Sequence, residues 1–252
     1  MTTKEALYNF CLRLGDNNLI LGQRLAEWCS NGPILEEDLA MTNMSLDNFG
    51  QAEYLYEYAA ELEGKGNSAD DLAFLRDERE YFNNLLVEQP NGDFAVTMMK
   101  EMLYSSFAVS LCEALSQSKD ERLSGLAVRM TKEVKYHYRH SSEWLIRLGN
   151  GTDESRTRAQ TALNELWMFT ADLFTMNQTD KVLVKAGISV DMNDLLPVWR
   201  RSVEEVLKAA KFKVPQNCHM ITGGIDGQHT EYLGHILCEM QYLQQAHPGA
   251  KW

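Results

Sequence analysis

The chain contains a long stretch without proline, and this stretch constrains the fold more than any other feature of the sequence. No proline occurs between Pro90 and Pro197. Because proline lacks a backbone N–H and clashes with the preceding helical turn, its absence permits long uninterrupted helices. Within the stretch, apolar residues recur at steps of three and four, which is the spacing of one helix face rather than of a strand. The pattern predicts an all-α protein.

Turn-forming clusters divide the chain into helices of the length found in bundles. The clusters are rich in Gly, Asn, Pro and Ser and lie at residues 30–33, 63–68, 89–93 and 149–153. We predict helices over residues 3–29 (with a disturbance at Gly15 and Asp16), 36–62, 69–83, 94–118, 121–148, 154–176, 193–211 and 230–245. Asp93 and Asp153 suit N-cap positions. A helix of about 25 residues is roughly 37 Å long, so we expect one domain over residues 1–252, a long-helix bundle with additional C-terminal helices.

Charge and composition exclude several classes of protein. The net charge is -12 and the sequence pI is near 5.0, with the basic residues scattered rather than gathered, so nucleic-acid binding is not expected. The sequence shows neither a signal-peptide pattern nor about 18 consecutive apolar residues, so we expect a cytoplasmic protein without membrane association. The five cysteines form no C-x-x-C pair, which argues against a zinc knuckle.

Acidic residues on four predicted helices have the spacing of a degenerate di-iron site. A carboxylate-bridged di-iron bundle uses single Glu ligands on two helices and Glu-x-x-His pairs on two others, because a step of three residues keeps both ligands on one face. The corresponding positions here are Glu27, Glu113, Asp47 with Gly50, and Glu133 with Tyr136. None of the six histidines follows a Glu by three residues. The pattern therefore predicts the frame of a di-iron protein without catalytic residues, cofactor or metal in this chain.

The same region leaves one alternative open, a self-sufficient metal-dependent oxidase. Glu133 with His137, Glu231 with His235, and His235 with Glu239 are each four residues apart and so share a helix face. No set of four carboxylates and two imidazoles can be assembled from these pairs. A core network in which a buried carboxylate is paired or protonated explains them more simply.

Several segments together resemble one family closely. They are residues 12–17 (LRLGDN), 22–29 (GQRLAEWC), 77–79 (DER) with 85–94 (LLVEQPNGDF), 132–137 (KEVKYH), 147–153 (RLGNGTD), and 229–231 (HTE) with 239–243 (EMQYL). These segments are similar to the C-subunit family of bacterial phenylacetyl-CoA epoxidases, multicomponent monooxygenases of phenylacetate catabolism. The resemblance extends over nearly the whole chain.

The resemblance implies a ferritin-like bundle with a non-catalytic, structural role. In these epoxidases a homologous catalytic subunit, the A-subunit, holds the di-iron centre and binds the acyl-CoA, and the C-subunit supports it. A separate reductase subunit supplies electrons from NADPH for the dioxygen-dependent epoxidation of the aromatic ring. We therefore expect the catalytic A-subunit and the other epoxidase subunits, including the reductase, as partners.

A cluster of polar and aromatic residues is a candidate for peripheral contact with phenylacetyl-CoA. Guanidinium, aromatic and amide groups could meet the phosphates and adenine of coenzyme A. The candidates are Arg76, Arg79, Glu80, Tyr81, Phe82 and Asn83, with Lys181 and Lys185 as further phosphate contacts. The alternative is a solvated helix end with local ion pairs.

Overall fold

The computed structural model describes residues 1–250 and confirms the predicted all-α class. No strand occurs among these residues. The α-helices are α1 (Thr3–Ala26), α2 (Leu35–Glu63), α3 (Ala69–Phe74), α4 (Leu85–Glu88), α5 (Phe94–Leu115), α6 (Glu121–Asn150), α7 (Asp153–Leu166), α8 (Gln178–Ala186), α9 (Met192–Ala209) and α10 (Glu231–Ala246). Short 3-10 helices cover Glu78–Glu80, Trp167–Phe174 and Gly224–Asp226.

The chain forms two compact units. Unit 1 comprises Met1–Pro90, Asn177–Leu183 and Gly223–Trp252, and unit 2 comprises Asn91–Met176 and Val184–Thr222. Each unit is built on one pair of long helices. The predicted organisation as a single domain stays a prediction.

Unit 1 is centred on an antiparallel hairpin of α1 and α2. The Tyr8 hydroxyl donates to Glu63 at 3.3 Å near one end, and the Ser45 hydroxyl donates to the Gly22 carbonyl at 2.8 Å nearer the other. Every residue of α1 from 10 to 22 is buried. Helices α3, α4 and α10 also pack in this unit, so residues from both ends of the chain share one core.

Unit 2 is centred on a second antiparallel hairpin, formed by α5 and α6. The rings of Phe94 and Trp144 meet edge to face at 5.1 Å near one end, and the Ser124 hydroxyl donates to the Ser116 carbonyl at 2.6 Å near the connecting turn. Trp199 of α9 is buried and donates its indole N–H to the Leu103 carbonyl at 2.9 Å. Helix α9 is thereby tied to the middle of α5.

Three predicted helices differ from the structure. Helix α1 runs through Gly15 and Asp16 without the expected disturbance, and the helix predicted over residues 154–176 changes to a 3-10 helix after Leu166. The helix predicted over 69–83 ends at Phe74, because the chain turns there and directs the Arg76 side chain into the core. Helix α8 has no counterpart among the predicted helices, since its nine residues show too short a periodic pattern.

Side-chain N-caps define the starts of several helices, among them α5 and α7. Asp93 caps α5 as predicted, accepting from the backbone N–H groups of Ala95 and Val96 at 2.9 and 3.1 Å. Thr152, rather than the predicted Asp153, caps α7 by accepting from the Ser155 N–H at 3.1 Å. Among the described residues, no helix combines the length and the apolar character needed to cross a membrane.

Candidate functional site

The two single carboxylates predicted at di-iron positions are exposed. Glu27 follows the end of α1 and accepts from the Arg24 guanidinium at 2.7 Å. Glu113 lies on α5 and pairs with Lys135 of α6 at 2.6 Å, with both side chains about half exposed. An ion pair as exposed as that of Glu113 and Lys135 contributes little to stability. Neither carboxylate therefore faces the core, as a ligand of a metal inside the bundle would have to.

On α2 the inward-facing pair lies one residue further along the chain than predicted. Asp47 and Gly50 are partly exposed, and a Cβ at Gly50 would meet no atom within 4 Å. Asn48 and Gln51 are buried instead, and Asn48 donates its amide to the Met44 carbonyl at 2.7 Å. One residue corresponds to a rotation of about 100° around the helix. The core face of α2 therefore carries two amides in place of the carboxylate and imidazole of an iron site.

The same offset of one residue occurs on α6. Glu133 is partly exposed and Tyr136 is 38% exposed, whereas Val134 and His137 are buried. At the buried positions of this helix the imidazole is present and the carboxylate is replaced by valine. The predicted pattern, a retained carboxylate and a lost imidazole, is thus reversed on α6.

Helix α5 carries a buried carboxylate that the sequence patterns did not single out. Glu101 is fully buried, and neither of its side-chain oxygens has a hydrogen-bond partner within residues 1–250. Burial raises the pKa of Glu101, and the nearby His137 and Lys100 offset this only in part. Burial thus acts against the charged form of this carboxylate. The sequence signal for this buried site was the adjacent charged pair of Lys100 and Glu101 within a mainly apolar helix.

The side chains of the described residues that could act as metal ligands do not fit a di-iron centre. Nowhere in residues 1–250 do three or more His, Cys, Asp or Glu side chains meet in a group that could hold a metal ion. The pairs considered for the alternative oxidase are also dispersed, since Glu231, His235 and Glu239 of α10 are all exposed. We derive no metal-dependent step for this chain.

Unit 1 contains a buried ionic network around Asp16. The carboxylate is fully buried and accepts from the Arg76 guanidinium, from the Tyr56 hydroxyl at 2.6 Å and from the Phe82 backbone N–H at 2.8 Å. The guanidinium also lies over the Tyr81 ring, 4.2 Å from its centroid. Several donors therefore compensate the negative charge that burial would otherwise penalise.

A second buried carboxylate in unit 1, Glu88 at the end of α4, bonds to the two residues that directly precede α10. One oxygen of Glu88 accepts from the backbone N–H and hydroxyl of Thr230, each at 2.7 Å. The other lies 2.9 Å from both the Asn83 amide nitrogen and Nδ1 of His229. Nε2 of His229 lies 2.8 Å from the Tyr81 carbonyl. Glu88, from one of the segments that carry the family resemblance, therefore bonds to His229 and Thr230, which belong to another.

The residues predicted to contact coenzyme A fall into two groups. Arg76, Tyr81 and Asn83 are buried and make hydrogen bonds within unit 1, which leaves them unsuited to bind phosphate. Arg79, Glu80, Lys181 and Lys185 are exposed, and Phe82 is partly exposed. Contact between these exposed side chains and an acyl-CoA stays a prediction.

The sequence is similar to known proteins over its full length. It matches the family model described as "Phenylacetic acid catabolic protein" over residues 1–252. It is 48% identical over 243 residues to the C-subunit of 1,2-phenylacetyl-CoA epoxidase of Escherichia coli (strain K12). That alignment covers 96% of this chain and 98% of the relative. Hardly any of either chain is left unmatched.

Proposed function

Because this chain belongs to the phenylacetic acid catabolic protein family, we propose that it is the C-subunit of a phenylacetyl-CoA epoxidase. That enzyme epoxidises the aromatic ring of phenylacetyl-CoA in phenylacetate catabolism. The observation that carries the proposal is the 48% identity to a C-subunit, which extends over nearly all of both chains. The ferritin-like helical class predicted from the sequence agrees with the family.

The proposed role of the chain is structural rather than catalytic. The buried i, i+3 positions carry Asn48 with Gln51 on α2 and Val134 with His137 on α6. Amide and valine side chains supply none of the carboxylates that bridge a di-iron pair. We assign the di-iron centre and the oxygen chemistry to the catalytic A-subunit.

In this role the chain acts as a rigid neighbour that holds the helices of the catalytic A-subunit in place. The helices of a metal-bearing subunit must be held closely in place, and a packed neighbour can do this without taking part in the reaction. The buried networks around Asp16 and Glu88 fix the helices of unit 1 in one arrangement. We further propose that the complex works in the cytoplasm, with a reductase subunit delivering electrons from NADPH.

Co-expression with the catalytic subunit tests the proposal. The two chains are purified together, the mass of the complex is measured by light scattering, and iron is quantified by mass spectrometry. We expect a stable complex whose iron is lost when the catalytic subunit is omitted, and epoxidation only when that subunit is present. Stoichiometric iron in the isolated chain, together with oxidase activity lost on His137→Gln or His235→Gln substitution, would instead establish the self-sufficient oxidase. No observation favours that alternative at present.

A further inference from the structure

Helix α2 exposes a row of leucines on the face turned to solvent. Leu35, Leu39 and Leu46 are 70%, 55% and 61% exposed. They are separated by four and seven residues, so they lie on one face of the helix. Single exposed leucines are common, but three large apolar side chains on one helix face form a patch of the kind that marks an interaction site. The first half of α2 is therefore a candidate interface.

The same face becomes acidic in the second half of the helix. Glu53 lies seven residues, or two turns, beyond Leu46, and Glu57 and Glu61 follow at steps of four. All three glutamates are exposed. Like charges four residues apart repel one another, so the three glutamates make this half of the face strongly negative. The face thus has an apolar half and a negatively charged half.

A groove lies where the two halves meet. It has a volume of about 380 Å³ and is formed by α1, α2 and α3. Leu19, Phe49 and Phe74 contribute apolar surface, and the exposed Glu53 and Asp70 lie at its acidic side. A space of this size accommodates one or two large apolar side chains of a partner. The groove adjoins the face at Phe49 and Glu53 and therefore provides an anchor point beside it.

We propose that this face of α2, from Leu35 to Glu61, binds a helix of another epoxidase subunit that carries apolar residues followed by Lys and Arg residues. The inference rests on the proposed function and adds to it the surface of attachment. The face is about 39 Å long, which matches a helix of roughly 26 residues. Apolar contacts supply affinity at one half, and charge complementarity sets direction and register at the other.

The charge pattern of the face disfavours a second copy of this chain, an acyl-CoA or an anionic membrane as its binding partner. If two copies met through this face in parallel, the three glutamates of each would oppose one another. In the antiparallel arrangement, glutamates would be buried against leucines without partners. The phosphates of an acyl-CoA and the headgroups of an anionic membrane would be repelled by the glutamates. All of the acidic excess of the sequence lies in unit 1, which strengthens this repulsion.

The test compares variants of the exposed face in binding to the catalytic subunit and to each other purified component of the epoxidase. The apolar half is changed by Leu39→Asp with Leu46→Asp, and the acidic half by Glu53→Lys with Glu57→Lys. Val128→Asp on α6 is the matched control, because Val128 is 55% exposed and lies outside unit 1. Circular dichroism and urea unfolding verify that each variant keeps the fold.

We expect one component to bind the wild-type chain and the control equally, and to bind each double variant at least about tenfold more weakly, a loss of roughly 1.4 kcal/mol. Binding of the wild-type chain should weaken between about 50 and 500 mM salt, whereas the lysine variant should lose this dependence. Folded double variants that bind as tightly as the wild type would overturn the inference and leave the proposed function intact. A wild-type chain that binds no epoxidase component would overturn both.

Discussion

The buried charges of unit 1 join residues that are far apart in the sequence. Asp16 pairs with Arg76, and Arg13 donates to Asp180 at 2.8 Å. Replacing a buried ion pair by apolar residues is often neutral, but removing one member typically costs about 3–5 kcal/mol because the other remains buried. Such pairs therefore specify which segments meet more than they add stability.

The groups that surround His229 raise its pKa. Nε2 faces the Tyr81 carbonyl, which only accepts, so this nitrogen carries a proton. Nδ1 faces a carboxyl oxygen of Glu88, which also accepts from Asn83 and Thr230. Burial lowers the pKa of His229, but the hydrogen bond and charge of Glu88 and the Tyr81 carbonyl raise it more. The pKa is consequently raised above its ordinary value.

The raised pKa predicts that the contribution of His229 to stability depends on pH. A group whose pKa is higher in the folded state stabilises fully below its unfolded pKa of about 6.5, and this contribution is lost as the pH rises through the folded value. We expect His229→Gln to lower the free energy of unfolding by about 1–3 kcal/mol at pH 5.5 and by less at pH 9. Urea unfolding across this range measures the difference. The exposed His235→Gln serves as control, and a loss that grows with pH would contradict the assignment.

At the scale of the elements, Gly15 explains how α1 and α2 approach each other. A Cβ at Gly15 would lie 2.6 Å from the Tyr56 ring. That ring cannot move easily, because Tyr56 is buried and its hydroxyl donates to Asp16. The sequence suggested a weak point in the helix at Gly15, whereas the structure uses the glycine for close packing within a continuous helix.

We predict opposite effects for alanine at two helical glycines. Gly15→Ala should destabilise the protein by about 1–2 kcal/mol, because overpacking outweighs the gain in helix propensity. Gly125→Ala is the control, since a Cβ there would meet no atom within 4 Å, and it should stabilise by up to about 1 kcal/mol. Denaturant unfolding of both variants gives the free energies. If both substitutions stabilised the protein equally, the Tyr56 ring would have to move away from the new methyl group without a loss of stability.

At the scale of the whole molecule, the charge is unevenly distributed. The net charge of -12 arises entirely from unit 1, because unit 2 has one more basic than acidic residue. Exposed acidic residues such as Glu53, Glu57 and Asp70 repel one another across the surface of unit 1. Self-repulsion of this kind opposes the compact state and is screened by salt.

The uneven charge predicts that salt stabilises the isolated protein. Raising the KCl concentration from about 20 to 300 mM should raise the melting temperature by about 2–4 °C, equivalent to roughly 1 kcal/mol. Calorimetry at constant pH measures the shift. The Glu53→Gln, Glu57→Gln variant should start from a higher melting temperature and gain less from salt. A melting temperature that falls with KCl would mean that attractive ion pairs dominate instead.

The sequence by itself determined the all-α class, the positions of most long helices and the family, because helical periodicity, N-caps and family segments are local signals. The Asp93 cap and the start of α5 are examples. Helix 69–83 could not be predicted correctly, since its end depends on Arg76 turning towards Asp16, a residue 60 positions away.

Only the tertiary structure decided which residues face the core. Periodicity identifies a helix but fixes its rotation poorly, and an error of one residue turns a helix by about 100°. With an error of one residue, the sequence placed Asp47 and Glu133 at positions that Asn48 and Val134 occupy in the structure. On α6 it therefore predicted a retained carboxylate and a lost imidazole, whereas the buried positions carry valine and histidine. Burial of Glu101 and the pairing of Glu88 with His229 depend on contacts between distant segments, and no local pattern encodes such contacts.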